Sequence, residues 1–293
     1  MHPRNRFRTG YDVPALVASS PALEAFVRTS PRGEDTIDFA DPGAVIALNQ
    51  ALLKDAYGLK WSIPRGALCP PVPSRCDYIH YLADLLSGGD EAAIPRARGV
   101  RVLDIGTGAS CIYPLIGASE YGWGFVGTDT DKAAVHWARQ IVRVNRSVAS
   151  LIECRLQPDS SKCFAGVVNP GETFAASMCN PPFHASAEEA AEGSRKKRRN
   201  LGLAKSAPAL NFGGQAGELW CPGGELGFIQ RLIAESAARP RLCRWFTTLV
   251  SKSEHLPRLR QSLKAARVTE IKTIDMAQGQ KKSRILAWTF LKP

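Results

Sequence analysis

Val100-Arg-Val-Leu-Asp-Ile-Gly-Thr-Gly-Ala-Ser-Cys-Ile-Tyr-Pro114 reads as a strand that runs into a glycine turn and out into a helix. Val100, Val102, Leu103 and Ile105 give Val100 to Ile105 the apolar content of a strand. Gly106 and Gly108 suit a tight turn and let backbone N–H groups approach a ligand. A helix is expected over 110–121. Working outward, Gly124 to Asp129 predicts a second strand and Asp131 to Asn145 a second helix. Ser150 to Gln157 and Phe174 to Cys179 predict two more strands, the latter closed by Asn180-Pro-Pro-Phe183. Gly224 to Ala238 and Leu256 to Ala266 read as helices around a strand at Leu242 to Val250. Val268 to Met276 and Arg284 to Leu291 read as final strands. Strands alternating with helices predict an α/β fold, Rossmann-like, with a doubly wound and mainly parallel sheet.

Residues before 90 stand outside this alternation and predict an N-terminal extension over 1–89, attached to a main domain over 90–293. The extension opens with Arg4, Arg6 and Arg8 alternating with Asn5 and Phe7. That pattern fits a solvated tail or an arm that grips phosphates. Thr36 to Ala40 reads as a short strand. Asp41-Pro42 then reads as an N-cap with proline at the first helical position, and the helix ends at Tyr57 before Gly58. Prolines 64, 70, 71 and 73 predict a loop over 61–76. A helix from Asp77 to Leu86 follows, stopped by Gly88-Gly89. Residues 184–224 read mostly as loop.

The chain has 293 residues, of which 44% are hydrophobic and 22% charged. This usage is ordinary for globular proteins and excludes wholesale disorder, a collagen-like fibre and a coiled coil. No apolar run reaches the ~18 residues of a membrane span, and nothing apolar follows the N-terminus as in a secretory signal. The eight cysteines form no C-x-x-C pair, so they read as reduced, buried side chains of a metal-free cytoplasmic protein. Lys and Arg number 38 against 27 Asp and Glu, a net charge of +11. Such a balance favours a polyanionic partner.

Two motifs carry chemistry. Asp104 ends the first strand, where a carboxylate can hold an ammonium directly or through the turn. Asp129 ends the next, where a carboxylate accepts from two ribose hydroxyls. The dinucleotide pattern G-x-G-x-x-G fails at Cys111. S-adenosylmethionine (SAM) suits these acids better than NAD, with an NAD oxidoreductase or a merely structural turn left as alternatives. The second motif is Asn180-Pro181-Pro182-Phe183. Two prolines stiffen the turn and free the Pro181 carbonyl from any strand ladder. That carbonyl and the Asn180 side-chain oxygen are two acceptors, enough for both hydrogens of an exocyclic amine. Phe183 offers a face on which a base can stack.

The two motifs, with His2-Pro-Arg-Asn-Arg6, Ile37-Asp-Phe-Ala-Asp-Pro42, Asn211-Phe-Gly-Gly214 and Met276-Ala-Gln-Gly-Gln-Lys281, resemble the RlmF family. Its members methylate N6 of one adenine in 23S ribosomal RNA. The chain is also similar to the human methyltransferase-like enzyme that methylates adenine N6 in U6 small nuclear RNA. The resemblance extends over nearly the whole chain. It implies a class I SAM-dependent methyltransferase fold, a monomer, and 23S rRNA or a ribosomal assembly intermediate as partner. It implies that Gly106, Thr107, Gly108 and Ser110 line the methionine part of SAM, with Arg75 near its carboxylate. Asp129 would take the ribose, and Asp159 would stand in a loop beside the adenine of SAM. Asn180 to Phe183 would hold the target adenine. Pro222 stands where the family carries an acidic residue. Another RNA, DNA or a protein glutamine remains as an alternative acceptor, since each suits this kind of turn.

Three basic groups are candidates for RNA contact. The first is the run Arg195, Lys196, Lys197, Arg198 and Arg199, close in sequence to Phe183. The second is Lys281, Lys282 and Arg284, between the last strands. The third is Arg4, Arg6 and Arg8.

Overall fold

A computed structural model describes residues 1–97, 99–186, 188–189, 220–278 and 281–292. Near the N-terminus, β1 (Val27–Thr29) and β2 (Asp35–Ile37) form a two-stranded antiparallel ribbon. The strand expected at 36–40 is therefore shorter, and its partner β1 escaped the sequence reading. The central sheet holds β3 (Arg101–Ile105), β4 (Gly124–Asp129), β5 (Ile152–Leu156), β6 (Phe174–Cys179), β7 (Cys243–Val250), β8 (Glu270–Gln278) and β9 (Lys281–Thr289). Its order is β5-β4-β3-β6-β7-β9-β8. Strands β3 to β7 run parallel, and β9 runs antiparallel to both its neighbours. The strand order reverses between β3 and β6, which pair directly with Ile105 opposite Cys179. Both sequence motifs leave the sheet at this switch point, on the side where open α/β sheets bind ligands.

The described helices are α1 (Val13–Ser19), α2 (Pro42–Tyr57), α3 (Val72–Ser87), α4 (Ile112–Tyr121), α5 (Lys132–Val144), α6 (Gly224–Ala238) and α7 (Leu256–Ala265). Asp41 caps α2 by accepting from the Gly43 N–H, and Gly58 ends it in a left-handed conformation. Asp131 caps α5 in the same way through Ala133. Helix α3 starts at Val72, five residues before the sequence predicted. Pro73 sits in its first turn, where the missing N–H has no helical partner to lose. The expected loop therefore holds for residues 61–71, and only Pro73 of its four prolines marks a helix start.

Val102 and Leu103 point into different clusters on opposite faces of the sheet, as do Ile285 and Leu286, following the two-residue period of a strand. One cluster gathers side chains of α2, α3, α4 and α5, and the other those of α6 and α7. The first also takes in Phe7, Leu16, Leu23 and Ile37, so one core runs across the boundary expected at residue 89. Of the eight cysteines, all free, seven are buried and Cys221 is half-buried. Among the described residues no helix is long and apolar enough to cross a membrane.

Candidate active site

The glycine turn is held by its neighbour strand. Gly106 and Thr107 both donate their N–H groups to the Thr128 carbonyl at 2.9 Å. Gly106, Gly108 and Cys111 take positive φ values of 76°, 62° and 50°. A left-handed cysteine is uncommon and marks a constrained turn. On β4, a Cβ at Gly127 would stand 2.9 Å from Thr107 Oγ1, so the strand needs glycine there for the turn to lie against it. The Asp129 carboxylate accepts from the Gly108 N–H at 2.9 Å and the Asp131 N–H at 3.0 Å. A carboxylate has about four acceptor positions, so acceptor capacity remains for a ligand.

A cavity opens at this edge of the sheet. Its walls bring together Arg75, Gly106, Thr107, Gly108, Ser110, Asp129, Asn180 and Pro182. Pro181 is buried and Phe183 half-buried, and neither is part of the wall. Arg75 arrives from α3 and donates from Nη1 to the Tyr113 hydroxyl at 3.0 Å, with its guanidinium 5.4 Å over the same ring. Burial pushes the Tyr113 phenol up to about 12, so it stays protonated.

Two sequence expectations need correction. Asp104 does not face the cavity. It is wholly buried behind the turn, and burial, with the charge of Asp129 nearby, pushes its carboxyl up to about 7. Of the two expected roles, direct contact with an ammonium is thereby ruled out, and action through the turn is the one left. Asp159 is exposed and lies off the wall, its carboxylate accepting from the N–H and hydroxyl of Ser161 at 2.8 and 2.6 Å. Its neighbours Gln157, Ser160 and Lys162 line the cavity instead. Asp is well suited to organising its own turn two residues on, and that local use prevails here.

Sequence reasoning missed other wall residues. Tyr113 lay inside the quoted motif and was a readable signal. Leu68, Pro70 and Phe228 carried none, because folding brings them from remote segments. The proline-rich loop is fastened by Asn49, whose amide donates to the Pro70 carbonyl at 2.9 Å, and by Trp61, whose indole donates to the Ser110 carbonyl at 2.9 Å.

The buried polar atoms of this region point to a ligand. Arg75 Nε and Asn180 Oδ1, two buried atoms of residues on the cavity wall, have no hydrogen-bond partner in the protein. Buried polar groups are normally paired, and these belong to one site. A guanidinium for a carboxylate, remaining acceptor capacity on Asp129 and an amide oxygen on the same cavity wall match the groups of SAM and an amine acceptor.

Of the N-terminal arginines, Arg4 is engaged inside the molecule and Arg6 in a surface pair. Arg4 donates to Asp84 at 2.6 Å, to the His80 carbonyl at 3.1 Å and to the Tyr121 hydroxyl at 3.2 Å. Arg6 pairs with Glu120 at 3.0 Å and lies over the Tyr57 ring. The phosphate-gripping arm is thereby corrected for Arg4, whose donors meet acceptors supplied by α3 and α4. Arg8 is exposed. Arg284 stands 3.5 Å from Asp275 across the final hairpin. Lys281 and Lys282 open β9, and their side chains lie outside the described residues, as does the whole run Arg195 to Arg199. A bridge between His184 and Trp220 sets the two flanks of that run side by side next to the Asn180 turn.

Comparison with known proteins decides the family. Residues 1–292 match a family described as RNA methyltransferase. The chain belongs to this family. It is 52% identical over 295 residues to "Ribosomal RNA large subunit methyltransferase F" of Pseudomonas aeruginosa, covering 99% of this chain and 88% of that one. The protein of the same name from Photobacterium profundum is 50% identical over 309 residues, covering 99% and 91%. Among solved structures, the catalytic domain of human METTL16 in complex with the MAT2A 3'UTR hairpin 1 is 32% identical. Its TM-score is 0.85, covering 100% of this chain and 96% of that one. The N-terminal domain of human METTL16 in complex with SAH is 30% identical, with a TM-score of 0.79 and coverage of 100% and 99%. The protein is therefore a methyltransferase enzyme with a Rossmann-like fold.

Proposed function

We propose that this protein methylates the N6 amine of a specific adenine in 23S ribosomal RNA, using SAM, by direct transfer at the Asn180 turn. The observation that carries the reading is the pair of unpartnered buried polar atoms at one cavity, Arg75 Nε and Asn180 Oδ1. The relatives' shared name, ribosomal RNA large subunit methyltransferase F, supports rRNA as the acceptor. The SAH complex of the human structure supports the cofactor.

When bound, SAM supplies an electrophilic methyl group. Arg75 suits its carboxylate, because a planar guanidinium matches two oxygens. Asp129 suits a ribose diol through its remaining acceptor capacity. Asn180 Oδ1 and the Pro181 carbonyl receive the two amine hydrogens of the adenine. An aromatic amine is a weak nucleophile because its lone pair is delocalised into the ring. Two fixed acceptors favour the pyramidal nitrogen on which positive charge develops, so they stabilise the transition state more than the ground state. Asn180 is a neutral amide and takes no proton. The extra proton on nitrogen leaves to water after transfer. A paired base cannot reach this turn, so the adenine is unpaired or flipped out. Arg6, Arg8, Lys281, Lys282, Arg284 and Arg195 to Arg199 are the proposed phosphate contacts.

The test is methyl transfer from labelled SAM to 23S rRNA, naked and as protein-bound particles, followed by nucleoside analysis. N6-methyladenosine at one site, absent with Asn180→Ala, is the expected result. SAM binding without transfer to either RNA would overturn the substrate assignment and direct the search to DNA and protein acceptors.

A further inference from the structure

Where β6 parts from β7, a side chain from outside the sheet stands at the opening. β6 stays laddered to β3 as far as Cys179, opposite Ile105. Its pairing with β7 ends at Ser177, opposite Phe246, while β7 continues to Val250 against β9. Tyr78, delivered by α3 and fully buried, meets both parted strands. The Cys179 N–H donates to the Tyr78 hydroxyl at 3.4 Å. That hydroxyl is 2.8 Å from Thr247 Oγ1, which in turn donates to the Ser177 carbonyl at 2.8 Å. Each hydroxyl carries one proton. The proton of Thr247 goes to Ser177, so the proton of Tyr78 goes to Thr247. The Tyr78 oxygen is then left to accept from Cys179. The bonds run one way, and both hydroxyls are required.

Tyr78 lies one helical turn from Arg75, on the same face of α3. Tyr113 joins them, with its ring edge-on to Tyr78 at 5.4 Å and its hydroxyl accepting from Arg75. One helix face therefore touches both the cofactor cavity and the residue that precedes Asn180. A strand leaving its ladder exposes a buried N–H that must find another partner. The tyrosine hydroxyl meets that need at Cys179 and lets the chain turn away from the sheet.

We propose that Tyr78 and Thr247 are positioning residues for methyl transfer: their relay fixes the last residue of β6, and so the point from which the Asn180 side chain reaches the acceptor amine. The proposal rests on the reading that Asn180 receives that amine. Burial holds the Tyr78 phenol well above its ordinary range, so its proton is present at every pH at which the enzyme works.

The test compares Tyr78→Phe, Thr247→Val, Thr247→Ser and the Tyr78→Phe/Thr247→Val double variant. Single-turnover methyl transfer is measured on an rRNA that the wild type methylates, and SAM affinity by calorimetry. Misplacement of a reacting group by ~1 Å costs on the order of 100-fold, so Tyr78→Phe and Thr247→Val should each slow transfer about tenfold or more. SAM affinity should stay within about twofold of wild type. Thr247→Ser keeps the hydroxyl and should restore the rate. The double variant should be no slower than the slower single, because one break already opens the relay. Wild-type rates in Tyr78→Phe, equal losses in rate and SAM affinity, or additive losses in the double variant would overturn the proposal. Should Tyr78→Phe fail to fold, the Val and Ser variants at Thr247 decide alone. A wild type that methylates an acceptor other than adenine N6 would instead sink the underlying reading of Asn180, leaving the relay to be judged on the rates.

Discussion

Half-buried Asn180 and fully buried Asp104 are polar side chains with different tasks. Asn180 Oδ1 has no protein partner and belongs to the cavity wall. Asn180→Ala should therefore reduce turnover far more than SAM affinity, measured as a rate constant beside a binding titration. Equal losses would remove its assigned role. Asp104 makes a prediction about pH. Its folded value of about 7 lies above the ~3.9 of an unfolded aspartate. Between these values the folded chain holds a proton that the unfolded chain has lost. Its contribution to stability therefore falls as pH rises through that window and stays low above it. Asp104→Asn cannot ionise. The melting temperature of this variant relative to wild type should rise from pH 5 to pH 8, and a constant difference would contradict the assignment. A ligand cation held through the turn favours the ionised form, so SAM should bind more tightly, and release a proton, as pH approaches 7.

At the scale of elements, α3 links the N-terminal segment to the active site. The His2 N–H and the Asn5 amide donate to Asp77 Oδ1 at 2.9 and 2.6 Å, and Asn5 also donates to the Pro73 carbonyl at 2.8 Å. His2 Nε2 and Arg4 both reach Asp84, each to one carboxylate oxygen. Burial, with the cations around it, pushes His80 down to about 3, so it stays neutral beside Arg4. These bonds fasten the first and last turns of the helix that carries Arg75 and Tyr78. Asp77→Ala leaves buried donors unmet and should cost about 1–3 kcal/mol in denaturant unfolding. It should also weaken SAM binding, because Arg75 stands in the loosened turn. Asp77→Asn keeps an acceptor and should lose less of both. A variant of full stability and full affinity would show that the clasp does not support the helix.

The whole molecule carries a net charge of +11, and its partner is a polyanion. Each phosphate contact releases counterions, so the logarithm of affinity falls linearly with that of salt. Neutralising Arg195 to Arg199 should flatten this dependence in filter-binding or anisotropy titrations, by about one unit of slope per phosphate contact removed. An unchanged slope would exclude the run from the interface. Arg4→Ala, by contrast, should lower stability and leave the slope unchanged, because its guanidinium is held by Asp84 and Tyr121. The first core cluster joins Phe7, Leu16, α3 and the sheet. Such continuity predicts that the N-terminal segment and the methyltransferase domain unfold together, in one transition.

The sequence by itself determined the alternation of strands and helices, the glycine turn with Asp129, and the Asn180 turn. Each depends on residues adjacent in the chain, through strand period, caps and the backbone demands of glycine and proline. That the two turns meet followed from the parallel strand order, in which β3 and β6 are neighbours. Only the tertiary structure decided the rest. It placed Asp104 behind the turn, replaced Asp159 at the wall by Gln157 and Lys162, and brought Phe228 and the proline-rich loop to the cavity. It also turned Arg4 inward onto Asp84 and set Tyr78 between β6 and β7. These outcomes depend on partners 80 and 101 residues away. Local pattern cannot encode which acceptor a donor will meet at such separation, because packing of the intervening chain sets the distance.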